Sequence, residues 1–281
     1  MASLQLSVLA SGSSGNCTWV ASETTHILID AGLSARQTVT RLEAAGGAID
    51  QIQAVCVSHE HQDHTAGLRV LHNRHGIPLY ANAGTVDALS NEPRLAALPW
   101  KLFSTGYAFT IGDLSIEPFS VPHDALDPVG FIVAHQDMRV GVVTDMGMVT
   151  SLIRERLRHC QVLVVESNHD EVLLQNAARP WSLKQRIRGR QGHLSNQGTA
   201  SLLREIANPQ LRHVFLAHLS EDCNRQDLAL ESARVALAES GYPAVDVQLG
   251  YPDRISGPCC IRTTASRDPY APDDAALPTV S

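Results

Sequence analysis

Seven short apolar runs recur along this chain of 281 residues, and each ends in polar or glycine-rich sequence. They are five to eight residues long and rich in β-branched side chains, which favours strands over helices. The runs span residues 26–30, 52–58, 114–121, 129–134, 138–144, 161–166 and 212–217. A chain with so many strand-like segments is expected to fold around β-sheets.

Helix-like stretches lie between several of these runs, and strands interleaved with helices predict an α/β fold. Residues 65–75 are expected to form a helix that stops at Gly76, and residues 151–159 precede the sixth run. Two longer stretches, 195–207 and 224–240, begin with serine and asparagine, which commonly cap a helix N-terminus.

Composition narrows the class of protein. The chain is 44% hydrophobic and 18% charged, and no apolar run approaches the ~18 residues that a membrane-spanning helix needs. The N-terminus lacks the features of a signal peptide, and the six cysteines have no CxxC spacing, which predicts reduced thiols in a cytoplasmic protein. Residues 264–281 are rich in Pro, Asp and Ala and predict a disordered tail after a folded domain of residues 1–263.

The segment SHEHQDH, Ser58–His64, follows the second apolar run directly and contains four potential metal ligands. His59 and His61 are two residues apart, so in an extended backbone they point the same way. Imidazole and carboxylate ligands suit a divalent ion such as zinc, and Asp63 with His64 could serve a second ion. A solvated polar loop is the alternative, and the position immediately after a buried strand disfavours it.

Four further candidates stand at the ends of apolar runs: His123, Asp145, Glu166 and His218. Polar groups gathered at strand ends form a site at one edge of a sheet, where loops converge above a dry core. Asp145 alone would be weak support, because an aspartate after a strand is often a turn residue.

The order HxHxDH, His123, Asp145, His218 resembles the metallo-β-lactamase superfamily. This resemblance implies a four-layer αββα sandwich of two mixed sheets flanked by helices, with two divalent metal ions at the sheet edges. One ion would be held by His59, His61 and His123, and the other by Asp63, His64 and His218. Asp145 and a water or hydroxide would bridge them. Zinc or manganese is expected, and nitrogen and oxygen ligands also permit iron.

Glu166 and the segment His193-Leu194-Ser195 resemble the phosphodiesterase and nuclease branch of that superfamily. In the implied reaction a metal-bridging hydroxide attacks phosphorus, and His193, oriented by Glu166, protonates the leaving oxygen as general acid. Asp63, Glu166 and His193 are accordingly the predicted catalytic residues. The alternative is that His193 is a loop histidine whose neighbours merely cap the next helix.

The spacing of the ligands indicates a compact form of this branch. The 22-residue step from His123 to Asp145 leaves no room for the arm of tRNA-trimming relatives, and the 73-residue step to His218 leaves none for a β-CASP domain. With LASGSSGNCTWV, ILIDAGLS, the SHEHQDH site, ESNHD and GHLSN, the chain resembles the YycJ-like proteins, regarded as bacterial DNA exonucleases acting from the 5′ end. A 5′-to-3′ exonuclease is therefore predicted, with DNA favoured over RNA.

Other hydrolases of the same fold stay open as alternatives at this point. One acts on a small cyclic phosphodiester, and another is a glyoxalase-like thioester or lactone hydrolase, whose ligand set would be the same. A non-catalytic binding protein is disfavoured by the intact ligand set. No membrane partner is expected, and the sequence leaves the oligomeric state open.

Candidate substrate-binding residues lie around His193. The run 179–190 carries five basic residues and no acidic one in a chain of net charge −7, so Arg186, Arg188 and Arg190 are expected to contact a phosphate backbone. Ser195 and His169 are further candidates. The segment SGSSGN, residues 11–16, is either a phosphate cradle or the turn of an N-terminal hairpin, and the turn is favoured.

Overall fold

Two seven-stranded sheets organise residues 2–263, the part of the chain that a computed structural model describes. The first sheet contains β1 (Ser3–Ala10), β2 (Cys17–Ala21), β3 (His26–Ile29), β4 (Ile52–Cys56), β5 (Leu79–Asn82), β6 (Trp100–Phe103) and β14 (Ser256–Arg262). The second contains β7 (Phe109–Ile111), β8 (Leu114–Ser120), β9 (Val129–His135), β10 (Met138–Val143), β11 (Val162–Glu166), β12 (His213–Ala217) and β13 (Asp246–Leu249).

Both sheets are mixed. The first has the spatial order β14-β1-β2-β3-β4-β5-β6, antiparallel up to β3 and parallel from β3 to β6. The second has the order β13-β12-β11-β10-β9-β8-β7, antiparallel from β7 to β10 and parallel from β10 to β13. Parallel strands bring their carboxyl ends to a common edge, which prepares each sheet to contribute side chains to one site.

Nine α-helices connect these strands within residues 2–263. They are α1 (Ala35–Ala44), α2 (Gln62–Thr65), α3 (Leu68–His75), α4 (Ala83–Leu89), α5 (Ser151–Leu157), α6 (Glu171–Asn176), α7 (Trp181–Arg188), α8 (Asn196–Ile206) and α9 (Gln226–Glu239). A short 3-10 helix precedes β4 at Ile49–Gln51.

Alternating side chains divide the core into three layers. In β11, Val162 and Val164 join the apolar layer between the two sheets, whereas Leu163 and Val165 face the helices outside. That outer layer includes Leu157 of α5 and residues of α8 and α9, and a matching layer packs the first sheet against α1 and α3. The predicted four-layer αββα sandwich is confirmed.

Each of the seven predicted runs contains a strand, and Gly76 ends α3 in the left-handed conformation expected of a helix stop. Ser195 caps α8 by accepting a hydrogen bond from the amide of Gly198. The expected asparagine cap of α9 is wrong, because Arg225 stands at that position and the buried Asn224 side chain instead bonds the Ser167 and Asn168 carbonyls.

The expectation of reduced thiols agrees with the structure, in which all six cysteines are free and Cys260 alone among them is exposed. Within the described chain, the helices are all too short or too polar to cross a membrane. The predicted tail, 264–281, lies outside the described residues.

Candidate metal centre

Polar residues of the site lie just beyond the ends of strands that pair in parallel. Asp30 follows β3, Asp145 lies two residues beyond β10, and His218 follows β12, and all three have a left-handed backbone with φ of 61°, 55° and 54°. Such a backbone turns the chain sharply at the end of a strand, and aspartate and histidine tolerate it better than most residues. The strand ends of both sheets therefore point side chains into one place.

Three imidazoles converge at the first part of the site. Nδ1 of His61 lies 3.1 Å from Nε2 of His59 and 3.3 Å from Nε2 of His123. The far ring nitrogens of two of them are occupied. His123 Nδ1 donates to the Gly192 carbonyl, and His59 Nδ1 donates to Ser58 Oγ, because that hydroxyl already gives its proton to Asp30. The Nε2 atoms of His59 and His123 therefore carry lone pairs directed at the same point.

A second group consists of Asp63, His64 and His218. Oδ2 of Asp63 lies 3.3 Å from His218 Nε2 and 3.5 Å from His64 Nε2. Asp63 and His64 lie on α2, which follows β4 of the first sheet, and His218 follows β12 of the second sheet. The group therefore spans both halves of the molecule.

Asp145 lies between the two groups and is 2% exposed. Its Oδ2 atom is 2.9 Å from His64 Nε2, and its Oδ1 atom is 3.5 Å from His218 Nε2. Burial would raise the pKa of this carboxyl, but the charges of His218 and His64 hold it well below its usual range. Among the described residues Oδ2 has this short contact to His64 Nε2 but no hydrogen bond of good geometry.

Asp30, which lies in the segment ILIDAGLS but is not among the predicted site residues, fixes the orientation of His64. Its Oδ2 atom accepts from His64 Nδ1 at 2.8 Å, and its Oδ1 atom accepts from the Ser58 amide at 2.8 Å. When His64 is neutral, its proton is on Nδ1 and its Nε2 lone pair faces Asp63 and Asp145. A carboxylate behind an imidazole is the usual support of a metal-binding histidine.

Asn16 is a second residue that sequence reasoning missed. Its amide nitrogen lies 3.2 Å from Asp63 Oδ2 and 3.1 Å from His64 Nε2. Its backbone N–H donates to the Asp63 carbonyl at 2.7 Å. Asn16 therefore ties the β1–β2 turn to the second group of the site.

These residues fit divalent metal ions. Converging imidazole lone pairs beside a buried carboxylate favour a bound cation, and nitrogens about 3.3 Å apart suit tetrahedral Zn–N bonds of about 2.0–2.1 Å. Two sets of three and a shared carboxylate are present: His59, His61 and His123; Asp63, His64 and His218; and Asp145, which clusters with residues of both sets.

Glu166 and His193 form a pair beside these groups. Glu166 is fully buried at the end of β11, and its Oε1 atom accepts from His193 Nδ1 at 2.7 Å. Its Oε2 atom accepts from the amides of Met146 and Leu194 at 2.7 and 3.1 Å. Burial would lower the pKa of His193, but the charge of Glu166 and this hydrogen bond raise it.

His193 is more exposed than the histidine that stacks on it. Its side chain is 24% exposed, whereas that of His218, stacked on it with ring centroids 5.1 Å apart, is 4% exposed. Its Nδ1 atom is committed to Glu166. Potential ligand atoms of Glu166 and His193 also cluster with those of Asp145 and His218, so geometry alone permits a third ligand set. The hydrogen bond between His193 Nδ1 and Glu166 Oε1 disfavours it, because it engages both of these atoms.

The loop that carries His193 is held against the centre by Gly192. The Gly192 carbonyl accepts from His123 Nδ1, and the His193 amide donates to the Ile187 carbonyl at 2.8 Å. A Cβ atom on Gly192 would lie 2.2 Å from the carbonyl oxygens of Arg186 and Ile187, so only glycine fits there.

The predicted substrate-binding residues fall into two groups. Arg186 lines a cavity of about 440 Å³ next to His193 and pairs with Asp124, while Arg188 contacts Gln175 and Arg190 is exposed. Ser195 and His169 are not part of that cavity wall among the described residues.

Their surroundings explain this difference. Ser195 caps α8 and donates to Glu171. His169 is 2% exposed, and burial lowers its pKa to about 4, so it is a neutral residue of the interior. The structure therefore brings Arg186 to the cavity beside His193 and leaves Ser195 and His169 outside it.

An αββα sandwich with histidines and carboxylates gathered where its two sheets end is the arrangement of metallo-β-lactamase-fold proteins, and comparison with known proteins agrees. The family model described as "Beta-lactamase superfamily domain" matches residues 25–218. The crystal structure of the metallo-beta-lactamase fold protein YhfI from Bacillus subtilis superposes with a TM-score of 0.68 at 14% identity, over 91% of this chain and 99% of that one.

Two curated relatives are more similar in sequence. The chain is 36% identical to exodeoxyribonuclease YycJ of Bacillus anthracis over 242 residues, which are 85% of this chain and 91% of that protein. It is 34% identical to exodeoxyribonuclease WalJ of Streptococcus pneumoniae over 227 residues, 79% of this chain and 84% of that protein. The chain therefore belongs to the beta-lactamase superfamily, in the branch that contains YycJ and WalJ, and is a metal-dependent hydrolase of that superfamily.

Proposed function

We propose that this protein is a dinuclear metal-dependent phosphodiesterase that degrades DNA as a 5′-to-3′ exonuclease. The observation that carries the proposal is the Glu166–His193 pair, with 2.7 Å between Oε1 and Nδ1, placed beside a seven-residue ligand cluster. A hydrolase of thioesters or lactones has less need of a proton donor, whereas the alkoxide leaving group of a phosphodiester must be protonated.

Seven side chains would hold the two ions: His59, His61 and His123 at one position, Asp63, His64 and His218 at the other, and Asp145 between them. When bound, such ions supply Lewis-acid stabilisation of the phosphoryl oxygens and activation of a water molecule. Asp30, Ser58 and the Gly192 carbonyl keep the Nδ1 protons of three ligand imidazoles in place, so that Nε2 stays available on His64, His59 and His123.

His193 would act on the leaving oxygen. With its Nδ1 proton donated to Glu166, the imidazolium carries its second proton on Nε2, and Glu166 stabilises that charged form. As the oxygen of a hydroxide ion bonds to phosphorus, the bond from phosphorus to the leaving oxygen breaks and His193 transfers its Nε2 proton to that oxygen, which leaves as an alcohol. Glu166 positions the ring and does not itself contact the substrate, since it is fully buried.

The choice of DNA, and of attack from a strand end, rests on the relatives. Both are named exodeoxyribonucleases and match most of this chain at 36% and 34% identity. Five buried free thiols and one exposed thiol support a reducing compartment, and we place the protein in the cytoplasm. Zinc or manganese suits the nitrogen and oxygen ligands, and iron is compatible with them.

A three-substrate assay tests the proposal. The purified protein, loaded in turn with zinc and with manganese, is given 5′-labelled and 3′-labelled DNA, bis(p-nitrophenyl) phosphate and a lactoyl thioester. We expect both phosphodiesters to be hydrolysed, and labelled DNA to shorten from its 5′ end. Turnover of the thioester without either phosphodiester would refute the proposal, and shortening from the 3′ end would refute the polarity.

A further inference from the structure

The cavity of about 440 Å³ beside His193 lies between the β1–β2 turn, α7 and the loop after β12. Its volume falls within the range of about 300–1,000 Å³ typical of small-molecule sites. Because His193 forms part of its wall and would protonate the leaving oxygen, the part of the substrate that carries this oxygen is directed into the cavity.

The turn at one side of this cavity is rigidly placed. Gly12 and Gly15 have φ of 137° and 150°, and a Cβ on Gly15 would lie 2.9 Å from the Gly32 carbonyl, so both glycines are required. The Gly12 amide donates to Asn16 Oδ1, and Asn16 is bound in turn to Asp63. The tip of the turn, Ser13-Ser14, therefore keeps a fixed position relative to the metal ligands.

Ser13 and Ser14 offer four free donors at the cavity wall. Both residues are exposed, and neither their amide N–H groups nor their hydroxyls bond any other residue in the described part of the chain. Successive backbone N–H groups at a tight turn form a concave site for anions, and hydroxyl groups add to it. The hairpin-turn interpretation of SGSSGN is correct for its backbone, and its tip has the donors of an anion cradle.

Two arginines complete the wall. Arg179 pairs with Asp222 through Nη2, and Arg186 pairs with Asp124 through Nε and Nη2. A guanidinium has five N–H donors, so each arginine retains donors for a second acceptor. Three carboxylates share the wall with these two arginines, those of Asp124, Glu221 and Asp222. The cavity therefore has no net positive charge to attract a long polyanion, and it suits a single phosphate held by directed hydrogen bonds.

We propose that this cavity seats the leaving nucleotide and that Ser13 and Ser14 bind the phosphate which that nucleotide carries in addition to the scissile one. This inference rests on the proposed function. The preferred substrate is then a strand whose leaving nucleotide carries a second phosphate in addition to the scissile one. A phosphodiester with one phosphate only would leave the Ser13-Ser14 donors unused.

Thymidine dinucleotides test this directly, because one extra phosphate can be added to either end. The metal-loaded protein is given TpT, pTpT and TpTp, and product analysis identifies the leaving half as the one released without the scissile phosphate. We expect an extra phosphate on the leaving half to raise kcat/KM over that of TpT by about tenfold, the equivalent of one good phosphate contact. The extra phosphate on the other half should have a much smaller effect.

Variants of Ser13 and Ser14 test whether the β1–β2 turn causes the rate advantage of the phosphorylated dinucleotide. In Ser13→Ala/Ser14→Ala the advantage of the phosphorylated dinucleotide should shrink, and in Ser13→Asp/Ser14→Asp it should invert because two carboxylates face the phosphate. The matched control Ser182→Ala/Ser201→Ala changes two exposed serines outside the cavity and should keep the wild-type ratio. Equal kcat/KM for all three dinucleotides in the wild type, or a full advantage in the aspartate variant, would overturn the inference. Failure of the proposed function would look different, since none of the three dinucleotides would then be cleaved.

Discussion

Asp30 and Glu166 are buried carboxylates at the ends of strands in opposite sheets, and each accepts a hydrogen bond from Nδ1 of a histidine. Each also accepts from backbone amides, Asp30 from Ser58 and Glu166 from Met146 and Leu194. The histidines differ. His64 is fully buried with Nε2 among Asp63 and Asp145, whereas the side chain of His193 is 24% exposed and borders a cavity.

The same local chemistry thus serves two purposes. In the first sheet it directs a lone pair toward the ligand cluster, and in the second it would hold a charged imidazole toward substrate. Four of the seven candidate ligands come from residues 59–64, and Glu166, which would orient the general acid His193, lies at the end of β11 in the second sheet. Metal binding and protonation of the leaving oxygen are therefore expected to fail separately when one of these two carboxylate–histidine pairs is altered.

The largest effect is expected for Asp145, which lies between the two groups of candidate ligands. Asp145→Ala removes the carboxylate that clusters with ligands of both groups, so both ions should be lost and activity on every substrate should fall below detection. Metal content after dialysis, measured by mass spectrometry, and turnover of bis(p-nitrophenyl) phosphate check this. Full activity in this variant would contradict the assignment of the centre.

The second prediction distinguishes protonation of the leaving oxygen from metal binding. His193→Ala should lower kcat for phosphodiesters by about 10²–10⁴-fold, the usual contribution of a general acid, while bound metal stays near the wild-type amount. Replacement of His72, which lies on α3 and bonds the Ile77 carbonyl, is the matched histidine control and should leave kcat unchanged. If His193→Ala loses metal in the same proportion as activity, His193 is a ligand and the third ligand set is the correct one.

A third prediction compares the two carboxylates directly. Asp30→Asn should weaken metal affinity by about 10–100-fold, as loss of a partner behind a ligand usually does, and excess metal should restore much of the activity. Glu166→Gln should lower kcat with little change in metal affinity, and excess metal should not restore it. Metal titrations followed by activity distinguish the two, and identical behaviour of both variants would remove the contrast between the sheets.

The smallest effect concerns the basic run. Changing Arg186, Arg188 and Arg190 to Gln should weaken DNA binding modestly and flatten its dependence on salt, because removing one phosphate-binding side chain reduces the slope of log K against log salt by about one at most. Arg186 already pairs with Asp124, so Arg190 is expected to contribute most. Changing the exposed Arg36, Arg74 and Arg94 to Gln removes equal charge elsewhere. Equal losses of DNA affinity in both triple variants would mean that the basic run has no specific role in DNA binding.

Much of this architecture could be predicted from the sequence because hydrophobic pattern and strand length are local signals. The seven apolar runs all contain strands, and the ligand candidates lie at the ends of the strands where they are expected. Asp30 is not among the predicted site residues although it ends the run HILID much as Asp145 follows its own run. Its importance depends on β3 pairing beside β4, which places it next to Ser58, and no local pattern reveals that neighbour.

The roles of Asn16 and Asp124 depend on contacts even further apart in the chain. Asn16 bonds Asp63 across 47 residues, and Asp124 pairs with Arg186 across 62. The basic run 179–190 contains no acidic partner of its own, and the fold supplies Asp222 for Arg179 and Asp124 for Arg186. Charge in a sequence window is therefore an incomplete guide to charge at a surface.

The left-handed backbone at Asp30, Asp145 and His218 narrows the mutations that natural selection can use at these positions. Metal chemistry alone would accept glutamate at Asp145 or cysteine at His218, since both are good ligands. The backbone adds a second requirement, because side chains other than glycine, asparagine, aspartate and histidine are rare at φ near +55°. Aspartate and histidine satisfy both requirements, and the chain has one of them at each of two candidate ligand positions, Asp145 and His218. Exchange of one metal for another is therefore more accessible to evolution through the other candidate ligands than through these two.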